Sequence, residues 1–410
     1  MAGKILRIAT AGSVDNGKST LIGRLLYDSK SIFEDQLSAV ERTSIRKGNT
    51  DLDLSLFTDG LREEVELGIT IDVAYRYFST PIRKFIIADT PGHSEFTRNM
   101  ITGASTTDLI IILIDVMLGI TEQTKRHSFI AGLLGLSNII VCVNKMDLKN
   151  WDEEAYNAIV GEYQILSKSF NLKNVEFVPI SALKGDNVVN GSRHMDWYKS
   201  EPLLGLLEML PQNKMISNQS LRCLVQCKLG KDESSFYYGV KVLQGELKID
   251  TVLEVYPSKR TVSALKLMGG YEDCKLLMES VAGKIVLSDD SLKRGDILTS
   301  GGSVPTLNDT MGAMICWLST DPFVVTKKLV LQHVSGEYIV STAKIQFAID
   351  MKSMEKVEEV NQLKANDIAS LLINLDREMP FDPYENSREM GSFILIDPVS
   401  NATVAAGMIR

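Results

Sequence analysis

Residues 12–20 read GSVDNGKST. Gly12 and Gly17 bracket Ser13, Val14, Asp15 and Asn16, and Lys18, Ser19 and Thr20 follow at once. An apolar run, Leu6–Ala11, precedes the stretch, and Leu21, Ile22, Leu25 and Leu26 follow it at the spacing of one helix face. A strand, a glycine-bounded loop and a helix in that order form a phosphate cradle. Glycines let successive backbone N–H groups converge on one anion, and the helix N-terminus adds the positive end of its dipole. In such a cradle Lys18 reaches the β- and γ-phosphates, and the Ser19 hydroxyl is a ligand for Mg²⁺.

Further strand ends carry matching chemistry. Asp89-Thr90-Pro91-Gly92 follows the apolar run Lys84–Ala88. A carboxylate there holds a Mg²⁺ shell through water, and Gly92 leaves its N–H open to a γ-phosphate. Asn144-Lys145-Met146-Asp147 ends the run Ile139–Val143. Guanine presents N1–H and an exocyclic amine side by side. The Asp147 carboxylate accepts both, whereas adenine offers neither and leaves a desolvated acceptor unmatched. Ser181-Ala182-Leu183, after a further strand, puts a backbone N–H on the guanine O6. Gly68-Ile69-Thr70-Ile71 precedes an apolar run, and Thr70 is the candidate second hydroxyl on Mg²⁺, engaged when GTP orders its loop. These motifs in this order point to a Mg²⁺-dependent GTP site.

The rest of the chain frames that site. Strand candidates at Asp72–Phe78, Lys84–Ala88, Leu109–Asp115, Ile139–Asn144 and Glu176–Ile180 are mostly separated by helix-length stretches. This predicts a mostly parallel sheet with helices on both faces. After Pro211 short β-rich runs split by Gly, Asp and Ser take over, such as Arg222–Lys228, Tyr237–Val242, Val252–Tyr256 and Val262–Leu267. A second series holds Lys328–His333, Ile339–Ile349 and Ser392–Ile396. The expected division is an α/β GTP-binding domain at 1–212 and two β-barrels at 217–301 and 302–410. Met354–Asp376 reads equally as a helix or as strand and turn.

Composition narrows the class. The chain has 410 residues, 44% hydrophobic and 23% charged, with a net charge of −8, which is globular and acidic. The acidity argues against nucleic acid as the main partner. Five cysteines without a disulfide spacing fit a reducing cytoplasm. Cys223 and Cys227 should share one strand face as buried apolar groups rather than a metal pair. The longest apolar run, Leu109–Ile114, is far short of the roughly 20 residues of a membrane span, and the N-terminus lacks a signal-peptide core.

Gly12–Thr20, then GITI, DTPGH at 89–93, NKMD and SAL resemble the translational GTPases typified by elongation factor Tu. Three longer strings are similar to the sulfate adenylyltransferase subunit 1 family. These are GITIDVAYRYFST at Gly68–Thr80, KFIIADTPGHSEFTRNMITGAS at Lys84–Ser105, and the C-terminal Phe381–Arg410 with FDPYENS and FILIDPVSNATVAAGMIR. The resemblance covers essentially the whole chain. It implies a GTPase whose hydrolysis drives adenylyl sulfate and pyrophosphate formation from ATP and sulfate on a small catalytic partner, subunit 2. It also implies that His93 orients the attacking water. The 410 residues hold no second phosphate loop and no His-x-Gly-His element. Ser300-Gly301-Gly302-Ser303 opens like the Ser-Gly-Gly-x-Asp-Ser loop expected of the partner, but Val304 and Pro305 end the match and it reads as an interdomain linker. Arg294-Gly295-Asp296 fits the barrel pattern, whereas Ile249-Asp250-Thr251 stands where a Gly-Asp turn is usual. The motifs alone also suit an elongation factor binding aminoacyl-tRNA, or a regulatory GTPase of another partner.

Overall fold

Strands that are apolar at every position can form only where both faces of a sheet are covered. Leu109–Asp115 (β4) and Ile139–Asn144 (β5) are buried throughout. They lie inside a six-stranded sheet of order β2-β3-β1-β4-β5-β6, whose other strands are Ile5–Ala11 (β1), Ala74–Ser79 (β2), Lys84–Asp89 (β3) and Val175–Pro179 (β6). Only β2 runs antiparallel to its neighbour. Among the described residues the helices of this unit include Lys18–Asp28 (α1), Glu122–Leu133 (α2), Glu153–Ser169 (α3) and Leu203–Met209 (α4). Leu21, Ile22, Leu25 and Leu26 of α1 share one core with the strand residues Ile8, Phe85 and Ile111.

This computed structural model describes residues 5–31, 54–57, 73–92, 99–100, 103–104, 106–136, 138–170, 172–210, 220–231, 236–270, 272–287, 291–302, 304–350 and 353–410. The chain divides into units 1–213 and 214–410. GITI at 68–71, with Thr70, and His93, the last residue of DTPGH, lie outside the described residues.

The second unit holds two closed antiparallel rings. In the first, Arg222–Lys231 pairs with Phe236–Gln244, and the ring continues through Ala282–Leu287, Arg260–Gly269, Val252–Tyr256 and Ile297–Thr299 back to its start. The second runs Leu329–His333, Ser392–Ile396, Thr403–Ile409, Thr306–Trp317, Ile368–Phe381, Gly336–Ile349 and closes on its first strand. Closure leaves no long unpaired edge. The rings meet at a buried two-point ion pair, Arg222 Nε to Asp382 Oδ2 at 2.7 Å and Nη2 to Oδ1 at 2.9 Å. Met390 completes a buried cluster with Leu224, Leu243, Tyr256 and Ile297. Gly295 takes φ +96°, and a Cβ there would collide with the Ser335 carbonyl, so the Arg-Gly-Asp element serves the contact between rings.

Three expectations are settled here. Met354–Asp376 is strand and turn: Lys356–Val357, Gln362–Leu363, then the long strand Ile368–Phe381. Asp250 adopts φ +61°, the conformation the missing glycine would supply, and Asp tolerates it. The cysteine expectation fails. Cys223 is buried but Cys227 is exposed: the register shifts between Val225 and Cys227, and the strand is exposed on both faces from Gln226 to Gly230.

Candidate functional site

The motif residues that the structure describes gather at the carboxyl ends of the parallel strands, where open α/β sheets bind ligands. Residues 12–17 leave β1 and enter α1 with Gly12 at φ +146°, Asp15 at φ +63° and Gly17 at φ +87°. Gly17 N-caps α1 in the left-handed region, directing the first helical N–H groups outward. Lys18, only 7% exposed, folds back over the loop, its Nζ donating to the Gly12 and Ser13 carbonyls at 3.0 Å each.

β3 delivers Asp89 beside α1. Its Oδ2 lies 3.5 Å from the Ser19 hydroxyl, and its Oδ1 accepts from Thr10 Oγ1 at 3.2 Å. Thr90 Oγ1 donates to the Thr10 carbonyl. Gly92 sits directly on the loop: a Cβ there would stand 2.9 Å from the Gly12 carbonyl oxygen and would also strike Lys18 Nζ. Burial pushes the Lys18 ammonium down to about 8, against the attraction of Asp89 and Asp15. Burial likewise pushes the Asp89 carboxyl up to about 6, against Lys18 and its hydrogen bonds. Both remain charged at neutral pH, as a cradle for phosphate and a hard cation requires.

β5 and β6 supply the other half. The Asn144 side chain is 2% exposed and joins the two halves: Nδ2 donates to the Asn16 carbonyl at 2.8 Å, and Oδ1 accepts from Ala182 N–H at 2.9 Å. A Cβ on Gly17 would stand 2.5 Å from Asn144 Nδ2, so this glycine is needed for close approach as well as for its φ. Lys145 takes φ +63° and its Nζ bonds Asp115 Oδ2 at 2.8 Å, which fixes the lysine stem along the site. Ser181 Oγ donates to Asp147 Oδ1 at 2.6 Å and accepts from Lys184 N–H at 3.2 Å. This leaves Asp147 Oδ2 as the carboxylate oxygen with no hydrogen bond among the described residues.

Sequence reasoning misses several residues that hold this frame. His127 of α2 is fully buried, and its Nδ1 accepts the Gly12 N–H at 3.0 Å. Burial, with Lys18 and then Arg126, pushes it down to about 3, so it stays neutral and keeps that lone pair. Ser13 and Thr121 share a 2.8 Å hydroxyl contact at the capped start of α2. Asp115 also belongs to the frame, as does Trp151, whose Nε1 donates to Asp186 Oδ2 at 3.1 Å. The available signal is helical spacing: His127 precedes the buried Ile130 and Ala131 by three and four residues.

Residues 3–254 match the model of the elongation factor Tu GTP binding domain, and residues 310–410 match the GTP-eEF1A C-terminal domain-like family. Sulfate adenylyltransferase subunit 1 of Psychromonas ingrahamii is 42% identical over 409 residues, covering 99% of this chain and 87% of that one. The protein of the same name from a Sulfurovum species is 41% identical over 416 residues, at 99% and 87% coverage. The bifunctional enzyme CysN/CysC of Mycobacterium tuberculosis is 39% identical over 411 residues, covering 99% of this chain and 67% of the other. With a GTP-binding domain of the elongation factor Tu type and such relatives along its length, the chain belongs to the sulfate adenylyltransferase subunit 1 family.

Proposed function

We propose that this chain is the GTPase subunit of a sulfate adenylyltransferase. It hydrolyses GTP to drive formation of adenylyl sulfate and pyrophosphate from ATP and sulfate on a separate catalytic subunit. The observation that carries the reading is the identity to subunit 1 proteins along 99% of the chain, running through a guanine-type nucleotide site. Sulfate attack on the α-phosphorus of ATP makes a phosphate–sulfate anhydride more reactive than the bond it replaces. The forward reaction therefore needs a second driving force, and GTP hydrolysis supplies one. The natural units are 1–212 for GTP and the barrels 217–301 and 302–410. A small catalytic subunit 2 is the partner. Five free cysteines fit a reducing cytoplasm, and no helix among the described residues is long and apolar enough to cross a membrane.

The roles follow from chemistry. The backbone of Gly12–Thr20 and Gly92 receives the phosphates, and Lys18 sits between the β- and γ-groups. Ser19, Thr70 and Asp89, the last through water, are the residues for Mg²⁺. The Ser19 hydroxyl and the buried Asp89 carboxylate make an all-oxygen donor pair, as that ion prefers. When bound it would neutralise charge on the β- and γ-oxygens. Asp147 reads the guanine N1–H and amine, Lys145 lies along the base, and Asn144 with Ser181-Ala182-Leu183 frames it. His93 orients the attacking water. Phosphoryl transfer needs positioning and charge stabilisation more than a strong base.

The purified chain tests this directly. It should bind GTP in preference to ATP, hydrolyse it slowly, and make no adenylyl sulfate from ATP and sulfate. Adenylyl sulfate made by this chain alone would end the proposal.

A further inference from the structure

The guanine-side loop is gripped by a residue of the phosphate-side helix. Arg24 lies in α1, six positions beyond Lys18. Its Nε donates to the Ala182 carbonyl at 3.1 Å, its Nη2 to the Leu183 carbonyl, and its Nη1 stands 3.5 Å from Asp28 Oδ1. Two successive peptide units of the loop are thus held by one planar cation. A guanidinium offers a rigid fork of donors; an ammonium is a point charge on a flexible stem.

The grip has a consequence for the base. A trans peptide points its C=O and N–H in opposite directions. Arg24 draws the Ala182 carbonyl toward α1, so the N–H of the same peptide, that of Leu183, is turned away from α1. Ala182 N–H is taken by Asn144 Oδ1 and Lys184 N–H by Ser181 Oγ. The Leu183 N–H between them donates to nothing among the described residues. It is the donor left for a base carbonyl.

We infer that Arg24 is a positioning residue for guanine selection: it aims the Leu183 N–H at O6 and ties that aim to the helix that opens on the phosphates. Arg24 touches no substrate itself. Asp28 balances its charge, with its own carboxyl raised by partial burial and lowered less by Arg24. The inference rests on the guanine reading proposed above.

The test is equilibrium titration of the whole chain with GTP, ITP and 2-aminopurine riboside triphosphate. GTP and ITP carry O6; the third has only hydrogen at that carbon. Arg24→Ala should weaken GTP and ITP alike by about tenfold, the scale of one lost hydrogen bond to a base. The 2-aminopurine nucleotide should bind as in wild type. Arg24→Lys should keep the wild-type melting temperature beside Asp28 yet recover little of the O6-dependent affinity, and it carries the test should Arg24→Ala fail to fold. Unchanged GTP affinity in both variants overturns the inference. So does an equal loss for all three nucleotides, which would place the effect on the phosphate cradle, or an Asp28→Asn variant that reproduces the loss. Asp147→Asn separates the two readings. If it leaves GTP affinity unchanged, the guanine assignment itself fails; if it weakens GTP while the Arg24 variants do not, only the Arg24 inference falls.

Discussion

Asn144→Ala should loosen the nucleotide site and destabilise the GTP-binding unit together. The side chain is 2% exposed and satisfies the Asn16 carbonyl and the Ala182 N–H, both in buried residues. Removing it strands two backbone groups at about 1–3 kcal/mol each. Water entering the space left by the amide recovers part, so about 3 kcal/mol is expected for the pair. For a unit of this size that lowers Tm by about 6–12 °C. Gly17 sharpens the test, since a Cβ there would stand 2.5 Å from Asn144 Nδ2. In wild type Gly17→Ala carries both that clash and the strain of φ +87°. In the Asn144→Ala background only the strain remains, about 1–2 kcal/mol. The assay is a double-mutant cycle by thermal melting of the nucleotide-free protein. Gly17→Ala should cost at least about 1 kcal/mol less in the Asn144→Ala background than alone. Additive effects, or an Asn144→Ala Tm within about 1 °C of wild type, would refute the bracing argument.

Asp147→Asn should weaken GTP by a few kcal/mol and partly recover with xanthosine triphosphate, whose carbonyl replaces the amine; calorimetric titration checks both. His93→Ala should leave GTP affinity near wild type and slow stimulated hydrolysis by about 10²-fold or more, and an unchanged turnover rate would remove it from the mechanism. Acid should expose His127. Unfolded, it takes a proton through 6.5; folded, not until about 3, so its contribution to stability is complete above 6.5 and is lost as pH falls through that window. At pH 5 the loss is about 2 kcal/mol. Asp89, raised to about 6, acts in the opposite sense, so the contribution is read as the difference between wild type and His127→Gln in Tm from pH 7 to 4.5. Identical slopes would contradict it.

What the sequence shows plainly is local. Leu109–Asp115 and Ile139–Asn144 are readable end to end because unbroken apolar runs stop at a polar residue that the site uses. The glycine loop is readable because its backbone conformation demands glycine. Met354–Asp376 is ambiguous because its first half is polar and largely exposed, so no period marks it. Alternation misplaces Cys227 because a register shift and a stretch of strand exposed on both faces leave no trace in composition. The holding residues escape for another reason. His127 meets Gly12 across 115 positions and Arg24 meets Ala182 across 158. Each looks locally like an ordinary helix residue, and only the sheet order brings the partners together.

The central claim is that GTP turnover in this chain drives adenylyl transfer on a partner. The most direct measurement is pyrophosphate release from ATP and sulfate by the chain combined with the small catalytic subunit, with and without GTP, for wild type and Thr70→Ala. The account predicts synthesis that GTP stimulates, faster GTP hydrolysis in the pair than in this chain alone, and a stimulation that Thr70→Ala damages more than it damages nucleotide binding. A reconstituted pair indifferent to GTP would contradict it.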